Sequence, residues 1–187
     1  MIAERTLVCR PAASSDELRA YYRLREEVFV REQRLFVESD VDAVDADPET
    51  LHVVAVRQPP GDVVGTVRCY RADDDTWFGG RLAVRRDCRS SRLLVGPSLV
   101  RTAEALVQQR GARVFLAYVQ LQNVRFFEHL GWVCVGEPRE YQGRPHQIMR
   151  PSWSAGPPRG AEAGRPPTAA RAEAAPYRAW SHPPSGR

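Results

Sequence analysis

Apolar residues recur at two different spacings along the chain, and these spacings predict strands and helices in alternation. Short apolar runs bounded by Pro, Gly and Asp residues are typical of strands joined by turns. Apolar residues three and four positions apart are typical of an amphipathic helix. The short runs predict seven strands, at residues 7–10, 51–56, 63–70, 77–84, 114–119, 132–135 and 146–149.

Three helices are predicted between these strands. Ser14 and Glu17 have the spacing of a capping box, ahead of the apolar positions of a long helix. Gly96 is the expected N-cap of a second helix, and Pro97 suits its first position, where a missing N–H costs nothing. Residues 123–131 predict a short third helix, which the glycine at its end stops.

The order of these elements predicts one sheet flanked by helices. Successive hairpins make the strands between residues 51 and 84 antiparallel, whereas the crossover through the second helix places 77–84 and 114–119 parallel. We therefore expect an α/β (α+β) fold with a mixed, mostly antiparallel central sheet of about six to seven strands.

Composition divides the chain at Pro151. Eight of the 15 prolines lie from this residue onward, together with almost no branched apolar side chain. A segment of this kind buries too little surface to offset the entropy that is lost on ordering. We expect a folded domain at residues 1–150 and a disordered Pro/Ala/Arg-rich tail at 151–187. The tail is expected to be a dispensable extension; the alternative is a binding arm with Trp153, Tyr177 and Trp180 as its points of contact.

The positive charge lies mainly in the tail. The net charge of +4 includes three charges from the tail, which has five arginines and two glutamates. The preceding 150 residues carry one net positive charge, without the concentrated basic stripe of a nucleic-acid-binding domain. Nucleic acid is therefore disfavoured as a partner, although the arginines of the tail leave an accessory role open.

Cysteine use and the N-terminus favour a cytoplasmic protein. The four cysteines lie far apart, without the spacing of a zinc site or a disulfide framework. No apolar run approaches the roughly 18 residues that a membrane span needs, and the first residues lack a secretory segment. We expect free thiols, no metal, no membrane contact and a cytoplasmic location.

The segment with the clearest chemistry is the loop between the fourth strand and the second helix. Residues 85–92 are rich in arginine and serine and lead to the helix start at Gly96. The N-terminus of a helix presents unpaired amides and the positive end of the helix dipole, and it therefore binds anions. Arg89 and Arg92 add guanidinium groups suited to a pyrophosphate, although a solvated basic turn has the same pattern.

With its flanking strands, this loop resembles the GNAT superfamily of acyl-CoA-dependent N-acetyltransferases, over about residues 5–150. The string Asn123-Val-Arg-Phe-Phe-Glu-His-Leu-Gly-Trp132 is similar to the family signature N…(F/Y)-x-x-x-G-(F/W). Residues 25–33, 38–42 and 143–146 also resemble the nitrogen-starvation N-acetyltransferase branch. The first of these segments is similar, in addition, to acyl-homoserine-lactone synthases, which share the fold.

The resemblance implies that acetyl-CoA is the co-substrate, bound between strands 77–84 and 114–119. The amine of an unidentified small molecule, deprotonated by a general base, would attack the thioester carbonyl within a ternary complex. A backbone amide near Val84 would polarise that carbonyl. The implied coenzyme contacts are Leu82, Ala83, Val84, Arg89, Ser90, Ser91, Arg92, Val95, Gly96, Ser98, Asn123 and Phe127.

Two positions depart from the family pattern. The phosphate loop of the family reads Q/R-x-x-G-x-G/A, whereas residues 89–96 form a longer segment with one glycine, which restricts close approach of the backbone. Phe127 stands where many members have a tyrosine acid, and a phenyl ring cannot protonate the departing thiolate. Tyr118, Cys88 or water would take that role, or the thiolate would leave as such.

The expected catalytic residues are Glu32, Asp40 and His146, each a candidate general base. Glu38 and Asp42 add carboxylates at the acceptor side, and a carboxylate-rich loop beside the acyl donor suits a cationic amine. Histidine is suited to proton transfer near neutral pH. Each residue also has a structural alternative, which is a solvated surface position for the carboxylates, a helix-end ion pair for Glu32 and a structural role for the histidine.

The expected function is therefore an acetyl-CoA-dependent N-acetyltransferase that acts on a small amine. Trp77 and Tyr141 are expected to line the acceptor pocket, with core packing as the alternative. Phe127 and the glycine-poor loop also fit a non-catalytic GNAT-like module that binds CoA or a partner. The pattern leaves open a homodimer or a partner enzyme in a metabolic cluster.

Overall fold

The structure of the chain, a computed structural model, describes residues 6–90 and 92–155. Within these residues it contains seven β-strands and three α-helices. None of the described helices combines the length and the apolar character that crossing a membrane requires. The strands are β1 (Thr6–Pro11), β2 (Leu51–Gln58), β3 (Asp62–Arg71), β4 (Thr76–Val84), β5 (Val114–Gln120), β6 (Trp132–Tyr141) and β7 (Arg144–Pro151); the helices are α1 (Ser15–Arg25), α2 (Val95–Gln109) and α3 (Val124–His129).

The seven strands form one sheet, in the order β1-β2-β3-β4-β5-β7-β6. Neighbouring strands are antiparallel except β4 and β5, which lie parallel because α2 connects them. The predicted mixed, mostly antiparallel sheet is therefore confirmed. The last hairpin is longer than predicted, since β6 and β7 pair out to Tyr141 and Arg144, where exposed polar residues carry no apolar signal.

The first helix begins where its capping residues predict. The Ser14 Oγ accepts a hydrogen bond from the Glu17 backbone N–H at 3.2 Å. The Glu17 carboxylate accepts from the Ala13 N–H at 2.8 Å and from the Arg10 guanidinium, which connects α1 to β1. Beyond α1 the helix continues as a π-helical segment over Glu26–Glu32, so the long predicted helix is present in two forms.

The second helix begins two residues earlier than predicted. Its N-cap is Leu94, in the left-handed conformation with a φ of 49°, and Gly96 lies inside the helix. Packing explains the shift, because a Cβ on Gly65 of β3 would lie 2.7 Å from both Val95 Cγ1 and Leu99 Cδ1. The contact with β3 therefore sets the start of α2 and overrides the local capping preference.

Helices α1 and α2 cover opposite faces of the sheet. Val53 and Ala55 of β2 pack in the core beneath α2, whereas Val54 and Val56 pack against Tyr21 of α1. Alternating residues of a strand point to opposite faces, so these contacts define an α1 face and an α2 face. This arrangement places the main hydrophobic core on the α2 face.

A β-bulge bends the end of β4. Gly80 and Ala83 of β4 pair with Arg68 and Thr66 of β3. Two residues lie between the paired residues of β4, but only one lies between those of β3. Arg81, which lies in this interval, has a φ of 54°. An extra residue of this kind bends its strand and increases the local twist. The pairing of β4 with β5 accordingly stops at Gly79, and the two strands separate beyond it.

The folded unit continues past the boundary expected from composition. Trp153 stacks on Phe115 with their ring centroids 6.3 Å apart, and the Ser154 Oγ accepts a hydrogen bond from the Phe115 N–H at 2.8 Å. Residues 151–155 therefore belong to the fold, because tertiary contacts hold a segment whose composition suggests disorder. The rest of the predicted tail, residues 156–187, lies outside the described residues, and its disorder stays a prediction.

Candidate active site

A cavity of about 620 Å³ lies where β4 and β5 separate. Its walls include the unpaired end of β4, the end of β5, the start of α2 and the hairpin of β6 and β7. Residues of both sheet faces line it, such as Val100 from the α2 face and Tyr70 from the α1 face. The cavity therefore passes through the sheet at the gap between the two strands.

The unpaired end of β4 directs backbone groups into this gap. The Arg85 N–H donates to the Val64 carbonyl of β3 at 2.9 Å. Successive strand residues direct their N–H and C=O groups to opposite edges, so those of Val84 face the gap. The Val84 carbonyl accepts from Arg89 Nε at 2.9 Å, and the Val84 N–H is placed to donate to a bound molecule. The cavity-lining residues of this stretch are Leu82, Ala83 and Val84.

The start of α2 adds backbone donors at the α2 face of the cavity. Val95 and Gly96 line the cavity, and the N–H groups of the first helical residues have no intrahelical acceptor. Pro97 has no N–H, and the Ser98 N–H donates to the Leu94 carbonyl at 3.0 Å. The helix itself therefore uses the Ser98 amide, and Ser98 is not among the residues that line the cavity; its expected coenzyme contact stays a prediction.

Among the described residues of the basic loop, Arg89 is the one that lines the cavity. Its Nη2 lies 2.6 Å from the Glu32 Oε2, so Glu32 has the helix-end ion pair that its structural alternative implies. Ser90 and Arg92 are exposed and lie outside the cavity lining. Ser91 lies outside the described residues.

The short helix α3 closes the cavity on the α2 face. Asn123 lines the cavity but makes no side-chain capping bond. Asn123 is the N-cap residue of α3, but its φ of −99° and ψ of −4° are not the extended conformation in which a side chain makes the capping hydrogen bond. Phe127 lies at the wall, with its ring 5.1 Å from Trp132 and 5.3 Å from Phe126. The wall at this point is therefore apolar.

A row of aromatic side chains forms the α1 face of the cavity. The rings of Tyr70 and Phe78 stack at 5.7 Å, those of Phe78 and Tyr118 at 6.0 Å, and those of Tyr118 and Tyr141 at 4.6 Å. His146 meets the Tyr141 ring edge-on at 5.3 Å. We call these five residues the aromatic row; all of them except Phe78 line the cavity. Tyr141 therefore lies at the cavity wall, where a residue that contacts the acceptor is expected.

His146 is held in one orientation at the end of this row. It is 5% exposed, and its Nδ1 lies 2.9 Å from the Arg144 carbonyl oxygen. A carbonyl only accepts, so this bond requires the proton on Nδ1 and leaves the lone pair of the neutral ring on Nε2. A histidine in this tautomer at the cavity wall can accept a proton.

Beside the aromatic row lies a buried ion network of arginines and aspartates. Its members are Arg25, Arg68, Arg81, Asp40, Asp42 and Asp45. Arg25 is fully buried, with its Nε 2.8 Å from Asp40 and its Nη1 2.5 Å from Asp45. Burial raises the pKa of Asp45, but the hydrogen bond from Arg25 and the charge of Arg68 outweigh burial and hold this pKa below its ordinary value. The three aspartates of the network therefore neutralise its three arginines inside the protein.

The network uses the carboxylates that were expected at the acceptor. Asp42 accepts from Arg68 at 2.7 and 3.0 Å and from Arg81 at 3.2 Å. Asp40 pairs with Arg25 and, at 3.1 Å, with Arg81. Neither aspartate is among the residues that line the cavity. The expectation of a carboxylate-rich pocket for a cationic amine is therefore corrected, because these aspartates neutralise buried arginines.

Three other candidates lie away from the cavity. Trp77 is 2% exposed and packs in the core of the α2 face, so it is a packing residue. Glu38 is exposed and outside the cavity lining. Cys88 is buried elsewhere, and burial raises the pKa of its thiol. Of the two side chains considered as proton donors, Tyr118 is the one at the cavity.

Gln33, Arg68 and Arg81 also line the cavity, although the sequence pattern did not predict them there. Gln33 accepts a hydrogen bond from Gln120 Nε2 at 3.2 Å, which connects the π-helical segment to β5. Arg81 is brought there by the bulge, which no local pattern marks. For Arg68 the sequence did contain a signal, since an arginine within the apolar run 63–70 requires a buried counterion.

Comparison with known proteins agrees with this geometry. Residues 13–132 match the family model described as Acetyltransferase (GNAT) family. YjcF, an uncharacterized N-acetyltransferase of Bacillus subtilis (strain 168), is 30% identical over 142 residues, which cover 74% of this chain and 96% of YjcF. The sequence similarity thus extends over most of the described residues.

Solved structures share the fold. A putative N-acetyltransferase from Lactobacillus plantarum has a TM-score of 0.68 at 26% identity, covering 78% of this chain and 97% of that chain. The CoA-dependent acyl-homoserine lactone synthase BjaI, solved with SAM and isopentyl-CoA, has a TM-score of 0.63 at 21% identity, covering 79% and 82%. Proteins of the GNAT fold use acyl-CoA as a co-substrate. The family match, the similarity to YjcF and the cavity between β4 and β5 together establish that the chain belongs to the GNAT family of acetyltransferases.

Proposed function

We propose that the protein is an acetyl-CoA-dependent N-acetyltransferase that acts on the amine of a small molecule by direct attack in a ternary complex. The observation that carries this proposal is the cavity through the gap between β4 and β5. Backbone donors suited to a coenzyme lie at its α2 face, and His146 lies at its α1 face. Donor and acceptor can therefore enter from opposite faces and meet in the gap, where proximity promotes the reaction.

The residues at the gap fit an acyl-CoA. An extended pantetheine arm can pair with the free edge of β4 as an added strand would. The N–H groups of Val95 and Gly96, together with the Arg89 guanidinium, would bind the diphosphate. A bound acyl-CoA supplies the thioester carbonyl that the amine attacks. The Val84 N–H would donate a hydrogen bond to that carbonyl oxygen and so polarise it.

His146 is the proposed general base. Its Nε2 would take the proton from the acceptor amine, either directly or through one water. The other two candidates have charged partners, since Glu32 pairs with Arg89 and Asp40 belongs to the buried ion network. Neither of these carboxylates is among the residues that line the cavity, whereas His146 is, so the histidine is the better placed of the three.

The departing thiol needs little help from an acid. A thiol with an ordinary pKa near 8.5 leaves as a thiolate without a large penalty. The Tyr118 side chain lines the cavity, whereas Phe127 occupies the position where many family members have a tyrosine. We therefore assign protonation of the thiolate to Tyr118 or to water.

A non-catalytic module that binds coenzyme A is the second candidate function. Phe127 at the family's acid position favours it, because a phenyl ring cannot protonate the departing thiolate. This alternative shares the coenzyme site with the enzyme proposal but excludes turnover. A single assay of thiol release therefore separates the two.

Placement in the nitrogen-starvation branch and a cytoplasmic location are further parts of the proposal. The branch is supported by the segments 25–33, 38–42 and 143–146. Arg25, Asp40 and His146, one from each segment, lie in the buried ion network or in the aromatic row beside it. The resemblance thus falls on residues that the fold gathers around the acceptor side of the cavity.

Titration calorimetry with acetyl-CoA, followed by a thiol-release assay with a panel of amines, tests the proposal. We expect a Kd for acetyl-CoA between about 1 μM and 1 mM, and thiol release above the background with at least one amine. Arg89→Ala should weaken acetyl-CoA binding, whereas the matched control Arg92→Ala, an exposed arginine of the same loop, should not. Binding without release would favour the non-catalytic module, and absence of binding would reject both functions.

A further inference from the structure

We propose that the α1 face of the cavity is an acceptor subsite for a monoamine that bears an aromatic ring and a carbonyl or carboxylate oxygen. This inference rests on the proposed function and specifies its substrate class. The aromatic row would contact the ring of the acceptor, and Arg68 would donate a hydrogen bond to the oxygen. His146, at the other end of the row, would face the amine.

The first observation is an unused donor on Arg68. This residue is 2% exposed and lines the cavity. Its Nη1 and Nη2 donate to Asp42 and Asp45 at 2.7–3.0 Å, but its Nε finds no hydrogen-bond acceptor among the described residues. A buried donor without a partner is costly and rare in native proteins. Because Arg68 lines the cavity, a small rotation of its side chain on ligand binding would turn Nε toward a ligand oxygen, which would satisfy it.

The second observation is the position of this donor next to the aromatic row. The Arg68 guanidinium carbon lies 5.5 Å from the centroid of the Tyr70 ring. From Tyr70 the stacked rings continue through Phe78 to Tyr118 and Tyr141. Aromatic rings in such a wall favour flat, apolar groups, which stack on them or meet them edge-on. The oxygen of the acceptor should therefore lie beside its ring.

The third observation is the charge of the cavity wall. Arg68, Arg81 and Arg89 line the cavity, while no Asp or Glu among the described residues does. The aspartates of the buried ion network neutralise Arg68 and Arg81 from outside the cavity. A second positive charge on the acceptor would lose its hydration here without gaining a counterion. The wall therefore disfavours polyamines and other polycations.

The volume also limits the acceptor. About 620 Å³ must contain the reactive end of the coenzyme as well as the acceptor, and a cavity of this size holds about one drug-sized molecule. A single-ring amine fits this limit. An oligosaccharide or a folded protein surface does not.

Binding to the CoA-loaded protein tests the subsite without relying on turnover. The probes are phenylalaninamide (ring and carbonyl), phenylalanine (ring and carboxylate), 2-phenylethylamine (ring alone), glycinamide (carbonyl alone) and spermidine (polycation). We expect phenylalaninamide or phenylalanine to bind at least about tenfold more tightly than the other three, the ratio expected when a charged donor gains an acceptor. The comparison of amide with carboxylate identifies the preferred oxygen. Equal or tighter binding of spermidine, glycinamide or 2-phenylethylamine would overturn the inference.

Variants assign the preference to the residues named. Tyr141→Leu should weaken the binding of phenylalaninamide several-fold and leave CoA binding unchanged. Tyr22→Leu, which alters a half-buried tyrosine of α1 outside the cavity, is the matched control and should change neither. Arg68→Lys, which keeps the charge but removes Nε, should abolish the preference for phenylalaninamide over 2-phenylethylamine if circular dichroism shows a folded protein. If the unmodified protein does not bind acetyl-CoA, the proposed function is rejected. If it binds acetyl-CoA but binds spermidine, glycinamide or 2-phenylethylamine as tightly as phenylalaninamide, only the subsite is rejected.

Discussion

Arg89 Nη2 lies 2.6 Å from Glu32 Oε2, so the guanidinium proposed to bind the coenzyme diphosphate already has a carboxylate partner. The two side chains are 40% and 23% exposed. Partly exposed ion pairs of this kind contribute only about 0–1 kcal/mol. A diphosphate carrying more negative charge than one carboxylate can therefore displace Glu32, but it must compete with it.

Replacing Glu32 should strengthen coenzyme binding. In Glu32→Gln the Arg89 guanidinium loses its charged partner, and we expect acetyl-CoA to bind up to about fivefold more tightly, as the free energy of an exposed pair allows. Titration calorimetry at low ionic strength measures the change. Glu27→Gln, at an exposed glutamate of the same π-helical segment, is the control and should leave the Kd unchanged. Unchanged binding together with a large loss of turnover would instead identify Glu32 as the general base.

Replacing His146 should slow the reaction without weakening the binding of acetyl-CoA. We expect His146→Gln to lower kcat by about 10²–10⁴-fold, the usual contribution of a general base, because Nε2 is lost as the proton acceptor. Steady-state thiol release gives kcat, and calorimetry gives the Kd for acetyl-CoA. His129→Gln, at an exposed histidine of α3, should retain full activity. A kcat within a factor of about three of the unmodified enzyme would leave His146 with a structural role.

The buried ion network should make a single aspartate essential for stability. Asp45→Asn leaves Arg25 and Arg68 with an uncompensated buried charge, and we expect a loss of about 3–5 kcal/mol in the free energy of unfolding. Asp16 pairs with Arg19 on the exposed surface of α1, so Asp16→Asn should cost less than about 1 kcal/mol. Urea unfolding followed by circular dichroism compares the two variants. Similar losses in both would mean that the network contributes no more than surface pairs do.

The same network should make the fold sensitive to acid. The pKa of Asp45 is held below its ordinary value in the folded protein, so its contribution is fully present above the pKa of the unfolded chain, near 3.9. That contribution is lost as the pH falls from there toward the folded pKa. We expect the stability of the unmodified protein to fall more steeply below about pH 4 than that of Asp45→Asn. The difference in slope should approach about 1.4 kcal/mol per pH unit, which corresponds to one proton. Parallel curves from urea unfolding at several pH values would contradict this expectation.

The α2 face of the cavity, which we propose as the coenzyme site, was largely predictable because its signals are local. The spacing of apolar residues reflects neighbours within one strand or one helical turn, so β4, α2, β5 and their parallel crossover follow from residues 77–119. Arg89 was predicted from the composition of the basic loop, and the position of Phe127 from the resemblance of residues 123–132 to the family signature. The local preference failed at the start of α2, where contact of Val95 with β3 moved the N-cap from Gly96 to Leu94.

The α1 face, which we propose as the acceptor site, was not predictable, because it depends on residues that lie far apart in the sequence. Asp40 and Asp42 belong to an acidic loop whose composition suggests a solvated or cation-binding surface, yet they face Arg25 and Arg68 in the interior. The bulge at Arg81 has no local signal either. The pattern along the chain thus determined the strands, the crossover and the basic loop. Only the folded structure decided which charges are neutralised and which side chains reach the cavity, because electrostatic and packing forces act between neighbours in space.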